Sequence, residues 1–181
     1  MRLLAISGSL RSASTNTATL KAMGALAPPD IDFVLYDRLA SLPHFNPDFD
    51  RADAPHLLPR EVGELRENVG RSDGVVICSP EYAHGVPGSL KNALDWLVGS
   101  IEFHQKPVAL INTSSRAVHA DAQLRETLAT MSSSLIEAAS LTVSIEGKAR
   151  DRDTNAIVSD LALSEKLGAA LLTIVAAIQR A

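Results

Sequence analysis

Cysteine is almost absent from this chain: Cys78 stands alone, so no intramolecular disulfide can form and no zinc site can be built from thiolates. The five histidines, at 44, 56, 84, 104 and 119, never fall at the i, i+3 or i+4 spacing that would pair two on a helix face, and no metal site is expected. Basic residues are in the minority. With 17 Lys and Arg against 21 Asp and Glu the net charge is −4, which argues against nucleic acid or an anionic membrane surface as partner. The opening MRLLAISGSL has too short an apolar run before Ser7 for a signal-peptide core. The most apolar stretch, LGAALLTIVAAI (167–178), is 12 residues long, short of the roughly 20 needed to span a bilayer. A cytoplasmic protein without a membrane partner is the expectation.

What remains is a soluble globular composition, 46% hydrophobic and 21% charged over 181 residues, read as one domain covering 1–181. Short apolar runs alternate with longer helix-like segments. The runs are LLAI (3–6), IDFVLY (31–36), GVVIC (74–78), PVALIN (107–112) and SLTVSI (140–145). Helical segments are expected at 15–26, 59–70, 88–99, 122–131 and 156–178. This alternation predicts βαβ units and a mainly parallel sheet. Several runs are continuous rather than alternating, as befits strands covered on both faces. Leu90, Ala93, Leu94 and Leu97 form an apolar stripe at helical period, as do Leu124, Leu128 and Met131, and both are read as core. The connection 37–59 carries four prolines and little periodicity. It fits either a lid over the sheet edge or a surface crossover packed by Phe45 and Phe49.

The stretch SGSLRSASTNT (7–17) follows a buried strand and opens a helix, with six hydroxyl side chains, Arg11 and Asn16. A helix N-terminus offers free N–H groups and partial positive charge to an anion. Arg11 can bind two phosphate oxygens at once. Capping alone needs fewer donors, so anion binding is the reading. Neither G-x-G-x-x-G nor G-x-x-x-x-G-K-[ST] occurs, and Ser9 lies in no G-x-S-x-G elbow, which points away from dinucleotide pyrophosphate, nucleoside triphosphate and nucleophilic serine. A terminal phosphate monoester suits the loop better.

GSLRSASTN followed by SPEYAHGVPGSLKNALDW is similar to the NADPH-dependent FMN reductase family, which includes quinone, chromate and azo-dye reductases. LPHFNPD (42–48) and TSSRAVHADAQLRETL (113–128) fall in the expected order as well. The resemblance implies a flavodoxin-like three-layer sandwich: a five-stranded parallel sheet of order 2-1-3-4-5 with helices on both faces and FMN at the switch point between strands one and three. It implies that Ser9, Arg11, Ser14, Thr15, Asn16 and Thr17 hold the FMN phosphate. Pro80, Glu81, Tyr82 and Ala83 would lie against the isoalloxazine ring, with Thr113, Ser114 and Ser115 approaching from the other side. Two departures concern the substrate side: Ala83 stands where many members have Asn, and AVHA (117–120) replaces a frequent Gly-Gly pair.

On this reading the chain leaves its third strand to present backbone N–H groups and a flat surface to a ring, with Pro80 and Pro87 stiffening the turn. Tyr82 is either a ring face at the site or packing over the helix start. Glu81 can be a polar anchor of the turn, His84 a substrate contact or a solvent-facing side chain, and Cys78 a small buried hydrophobe. The implied activity is reduction of quinones, free flavin or similar small acceptors by NADPH or NADH through bound FMN, with ping-pong kinetics. No catalytic acid or base is assigned, because the cofactor carries the difficult chemistry. The rival is a flavodoxin-type electron carrier, which the mild charge of −4 disfavours. The apolar run 167–178 suggests a homodimer or homotetramer.

Overall fold

Successive strand residues face opposite ways, and in this chain both ways lead into a hydrophobic core. The computed structural model describes residues 1–145 and 153–180. In β1 (Arg2–Ser7), Leu4 and Ile6 enter one core while Leu3 and Ala5 enter the other. The same division recurs in β3 (Gly74–Cys78), with Val75 and Ile77 against Val76 and Cys78, and in β4 (Pro107–Asn112), with Val108 and Leu110 against Ala109 and Ile111. Together with β2 (Asp32–Tyr36) these strands pair in parallel in the order β2-β1-β3-β4. Helices α2 (Arg60–Gly70), α3 (Gly88–Val98) and α4 (Val118–Thr130) supply apolar side chains to the first core. On the opposite face lie α1 (Thr15–Leu26), α5 (Thr154–Ser159) and α6 (Leu161–Ile178). Both stripes read as core are buried, with Leu90, Ala93, Leu94 and Leu97 at 1% exposure or less. The fold is the flavodoxin-like sandwich expected.

Its last strand position departs from expectation. Instead of one strand over 140–145, two short strands, β5 (Ser134–Leu135) and β6 (Leu141–Thr142), both pair with β4. A single 3-10 turn, Glu137–Ala139, separates them. Ser140 repairs the interrupted ladder: its Oγ accepts from the Leu110 N–H at 3.1 Å and donates to the Ile136 carbonyl at 3.0 Å. The polar run around β5 gave no apolar signal for that strand.

Two helical boundaries also shift. Helix α4 begins at Val118 rather than 122. The segment 156–178 is broken at Asp160, whose carboxylate accepts from the Leu163 N–H and caps α6. As an 18-residue helix of mean hydropathy 1.8, α6 is long and apolar enough to cross a membrane by length and composition, which the 12-residue reading had missed. Its Leu163, Leu167, Leu171 and Ile174 are buried in the core against α1 and the sheet, while Leu161 and Leu172 point outward.

The connection 37–59 is held down as a crossover. Trp96 Nε1 donates to the Pro43 carbonyl at 2.8 Å, and the Phe45 ring meets Trp96 edge-on at 5.0 Å between centroids. Further along, the Arg66 guanidinium grips both Asp50 oxygens at 2.8 Å and the Trp96 carbonyl at 2.7 Å. Phe49, the other expected packing residue, remains 43% exposed.

Candidate functional site

At the C-terminal edge of the sheet, Ser7 of β1 lies in register with Cys78 of β3, and the Gly8 N–H donates to the Cys78 carbonyl at 2.9 Å. The loops leaving these two strands therefore run side by side. They run so close that a Cβ on Gly8 would stand 2.7 Å from Ser79 Oγ, which explains the glycine. Several hydroxyls of the first loop build the loop itself. Ser14 caps α1 by accepting from the Thr17 N–H, Ser7 Oγ and Thr17 Oγ1 pair at 2.8 Å, and Ser9 Oγ accepts from the Arg11 N–H. Ser9, Ser14 and Asn16 are buried, whereas Arg11 and Ser12 are exposed. No carboxylate occurs in the sequence before Asp30, so this loop and the start of α1 carry hydroxyls, Asn16 and Arg11 but no negative charge. That donor set fits a phosphate.

Asn16 reaches from α1 to the neighbouring strands. Its Oδ1 accepts from the Cys78 thiol at 3.3 Å and from Thr113 Oγ1 at 3.1 Å. Burial pushes the Cys78 thiol well above the ordinary thiol range, so it stays protonated and serves as a donor. The small buried hydrophobe of the sequence reading thus has a polar function too.

The second loop, 79–87, contains a two-residue turn in which Tyr82 and Gly85 exchange backbone hydrogen bonds of 3.0 Å. Ala83 and His84 occupy its centre with φ of 49° and 60°. Helix α4 braces this turn. Glu81 Oε2 accepts from the N–H groups of His119 and Ala120, at 2.8 and 2.9 Å, and Gln123 Oε1 accepts from the Val86 N–H at 2.7 Å. The Ala120 N–H, joined by His119, holds the Glu81 carboxyl below its ordinary range. His84 stacks on His119 at 4.4 Å between centroids.

The third loop leaves β4 at Asn112, whose side chain accepts from the Ser114 N–H and donates to the Ala117 carbonyl. An open pocket of about 310 Å³ lies between the three loops, lined by Asn16, Ser79, Pro80, Glu81 and Asn112 and by Thr113, Ser114, Arg116 and Ala117. Of the residues anticipated from sequence, Asn16, Pro80, Glu81, Thr113 and Ser114 meet there. Ser9, Arg11, Ser14, Thr15 and Thr17 of the first loop and helix start stand outside its lining, as do Tyr82, at 53% exposure, Ala83 and Ser115. The Glu81 carboxylate is engaged by α4. Sequence reasoning missed Asn112, Arg116, His119 and Gln123. A polar residue ending an apolar strand was the available signal for Asn112; for the others only the placement of α4 reveals the role.

The sequence profile described as NADPH-dependent FMN reductase matches residues 1–148. A quinone reductase of Escherichia coli (strain K12) is 35% identical over 120 residues, 65% of this chain and 62% of the relative, so the match spans less than two thirds of that protein. A NAD(P)H-dependent FMN reductase of Pseudomonas aeruginosa is 35% identical over 133 residues, 71% of this chain and 69% of the relative. Among solved structures, the flavoenzyme NAD(P)H:(acceptor) oxidoreductase FerB of Paracoccus denitrificans superposes with a TM-score of 0.75 at 26% identity, over 99% of this chain and 97% of that one.

Proposed function

Because this chain belongs to the NADPH-dependent FMN reductase family, we propose that it binds FMN and uses NADPH or NADH to reduce quinones, free flavin or similar small acceptors. One observation carries the reading: a hydroxyl-rich loop with Arg11 and no carboxylate opens at the start of α1 beside a pocket of about 310 Å³ walled by Pro80 and Glu81. In that placement Ser9, Arg11, Ser14, Thr15, Asn16 and Thr17 surround the phosphate end. The 80–83 turn and the 113–115 loop flank the ring end. When bound, FMN supplies the hydride chemistry. The chain's own residues bind and orient. In the 80–84 turn Pro80 has no N–H and Tyr82 gives its own to the Gly85 carbonyl, which leaves the N–H groups of Glu81, Ala83 and His84 to stabilise negative charge, a contribution that side-chain substitution leaves intact.

Nicotinamide and acceptor would use the same open face of the bound ring in turn, which gives ping-pong kinetics. Cytoplasmic location and association as a homodimer or homotetramer belong to the same reading, the latter supported by the outward-facing Leu161 and Leu172 of α6. The test is the absorption spectrum of the purified protein, followed by steady-state NADPH oxidation with a quinone at varied concentrations of both. A flavin spectrum and parallel double-reciprocal lines are expected. A colourless protein that takes up no FMN overturns the reading, and one-electron exchange with protein partners without NADPH oxidation favours the carrier. His84→Ala and Tyr82→Phe should each lower turnover about tenfold or less, since neither is a required proton donor.

A further inference from the structure

A carboxamide has two ends of nearly equal shape and opposite polarity, and an anion site tolerates only one of them. Turned one way Asn16 would offer N–H donors to a phosphate; reversed, it would offer a carbonyl oxygen, which repels an anion. Nothing in α1 itself chooses between the two. The choice is made from the sheet, where donors from β3 and from the loop after β4 converge on one oxygen: Cys78 Sγ at 3.3 Å and Thr113 Oγ1 at 3.1 Å. We infer that Cys78 and Thr113 are positioning residues that clamp the Asn16 carboxamide with its N–H end toward the pocket, and so set the affinity for FMN. The inference rests on the FMN-binding reading above.

The geometry supports the clamp on three counts. Asn16 is 7% exposed, so water cannot replace the two donors cheaply. Cys78 is 0% exposed, far from the conditions that would make it a nucleophile or a metal ligand, which leaves the hydrogen bond as its polar role. Thr113 lines the pocket, yet its hydroxyl points its proton at Asn16. The Thr113 hydroxyl, expected to approach the ring, is thus committed to a second side chain instead.

The experiment is a fluorescence titration of FMN into the full chain freed of flavin, with thermal midpoints as a folding control. Asn16→Ala should weaken FMN about tenfold or more, as loss of a hydrogen bond to a charged group does. Cys78→Ala and Thr113→Val should each weaken it about three- to tenfold, and Cys78→Ser, which keeps a donor, should stay within about twofold of the parent. In an Asn16→Ala background, neither Cys78→Ala nor Thr113→Val should have any further effect on affinity, because nothing remains to position. Additive losses in that background would mean that the two side chains act through packing, and would overturn the clamp. So would unchanged affinity in Cys78→Ala and Thr113→Val while Asn16→Ala binds weakly. Unchanged affinity in Asn16→Ala would instead overturn the phosphate-site reading itself, and the clamp with it. Should Cys78→Ala fail to fold, Thr113→Val alone carries the test.

Discussion

Arg11 is the only cation on the 7–17 loop, it is exposed, and it forms no ion pair among the described residues. A guanidinium in that position, beside a helix start with no acid near it in sequence, is available for an incoming phosphate. Arg11→Ala should lower FMN affinity by roughly ten- to a hundredfold, the worth of one charged hydrogen bond, with the thermal midpoint of the flavin-free protein unchanged. Equal affinity in a fluorescence titration would remove Arg11 from the site. Glu81 carries a different kind of prediction. Its folded pKa lies below the ordinary value of 4.5, first because of the Ala120 N–H and then the His119 N–H. A lowered folded pKa means stability that is present above the ordinary value and lost as pH falls through the folded one. Glu81→Gln should therefore melt below the parent at about pH 7, and the gap should narrow as the pH falls below the ordinary carboxylate value and through the lowered one. A gap that persists in acid would show that the charge does not brace α4.

Two elements show how connections serve the site. The turn Tyr82–Gly85 places Ala83 and His84 in the left-handed region, at 49° and 60°, where a Cβ costs about 1–2 kcal/mol per residue. Such two-residue turns favour Asn or Gly at their centre. Ala83→Asn should stabilise the protein by about 0.5–1 kcal/mol, raising the midpoint by roughly 1–4 °C in a chain of this size. A lower midpoint in differential scanning calorimetry would show that Ala83 is not strained. The crossover 37–59 works differently. Asp50 and Arg66 have side chains 13% and 14% exposed and share both carboxylate oxygens, which ties the segment to α2 and, through the Trp96 carbonyl, to α3.

Across the whole molecule, the sheet gathers three loops at one edge and α6 leaves two large aliphatic side chains outside, beside the exposed Glu165. Leu161 at 72% and Leu172 at 60% exposure are large aliphatic side chains on a helix whose other face fills the core. A self-associated protein would cover them. Leu172→Glu should shift the mass measured by light scattering at micromolar concentration toward the monomer, with the flavin site intact. A parent protein already monomeric under those conditions would count against association through α6.

Some of this was determined by the sequence alone. The bounds of β3, β4 and α1 follow from apolar runs and helical periods that end where Gly, Pro or a Ser cap stands, because these are local preferences. The 7–17 loop proposed to hold a phosphate was equally conspicuous, since its hydroxyls, Asn16 and Arg11 lie within one short stretch. Tertiary structure decided the remainder. At the split last strand Ser140 reaches Leu110, 30 residues away; the break before α6 was by contrast a local signal, Asp160 capping Leu163, that the surrounding apolar run obscured. The pairing of His84 with His119, of Gln123 with Val86, and of Cys78 with Asn16 joins residues far apart in sequence. Each hydrogen bond requires atoms about 3 Å apart, a distance fixed only when strand register and helix docking have placed three separate loops on one edge of the sheet.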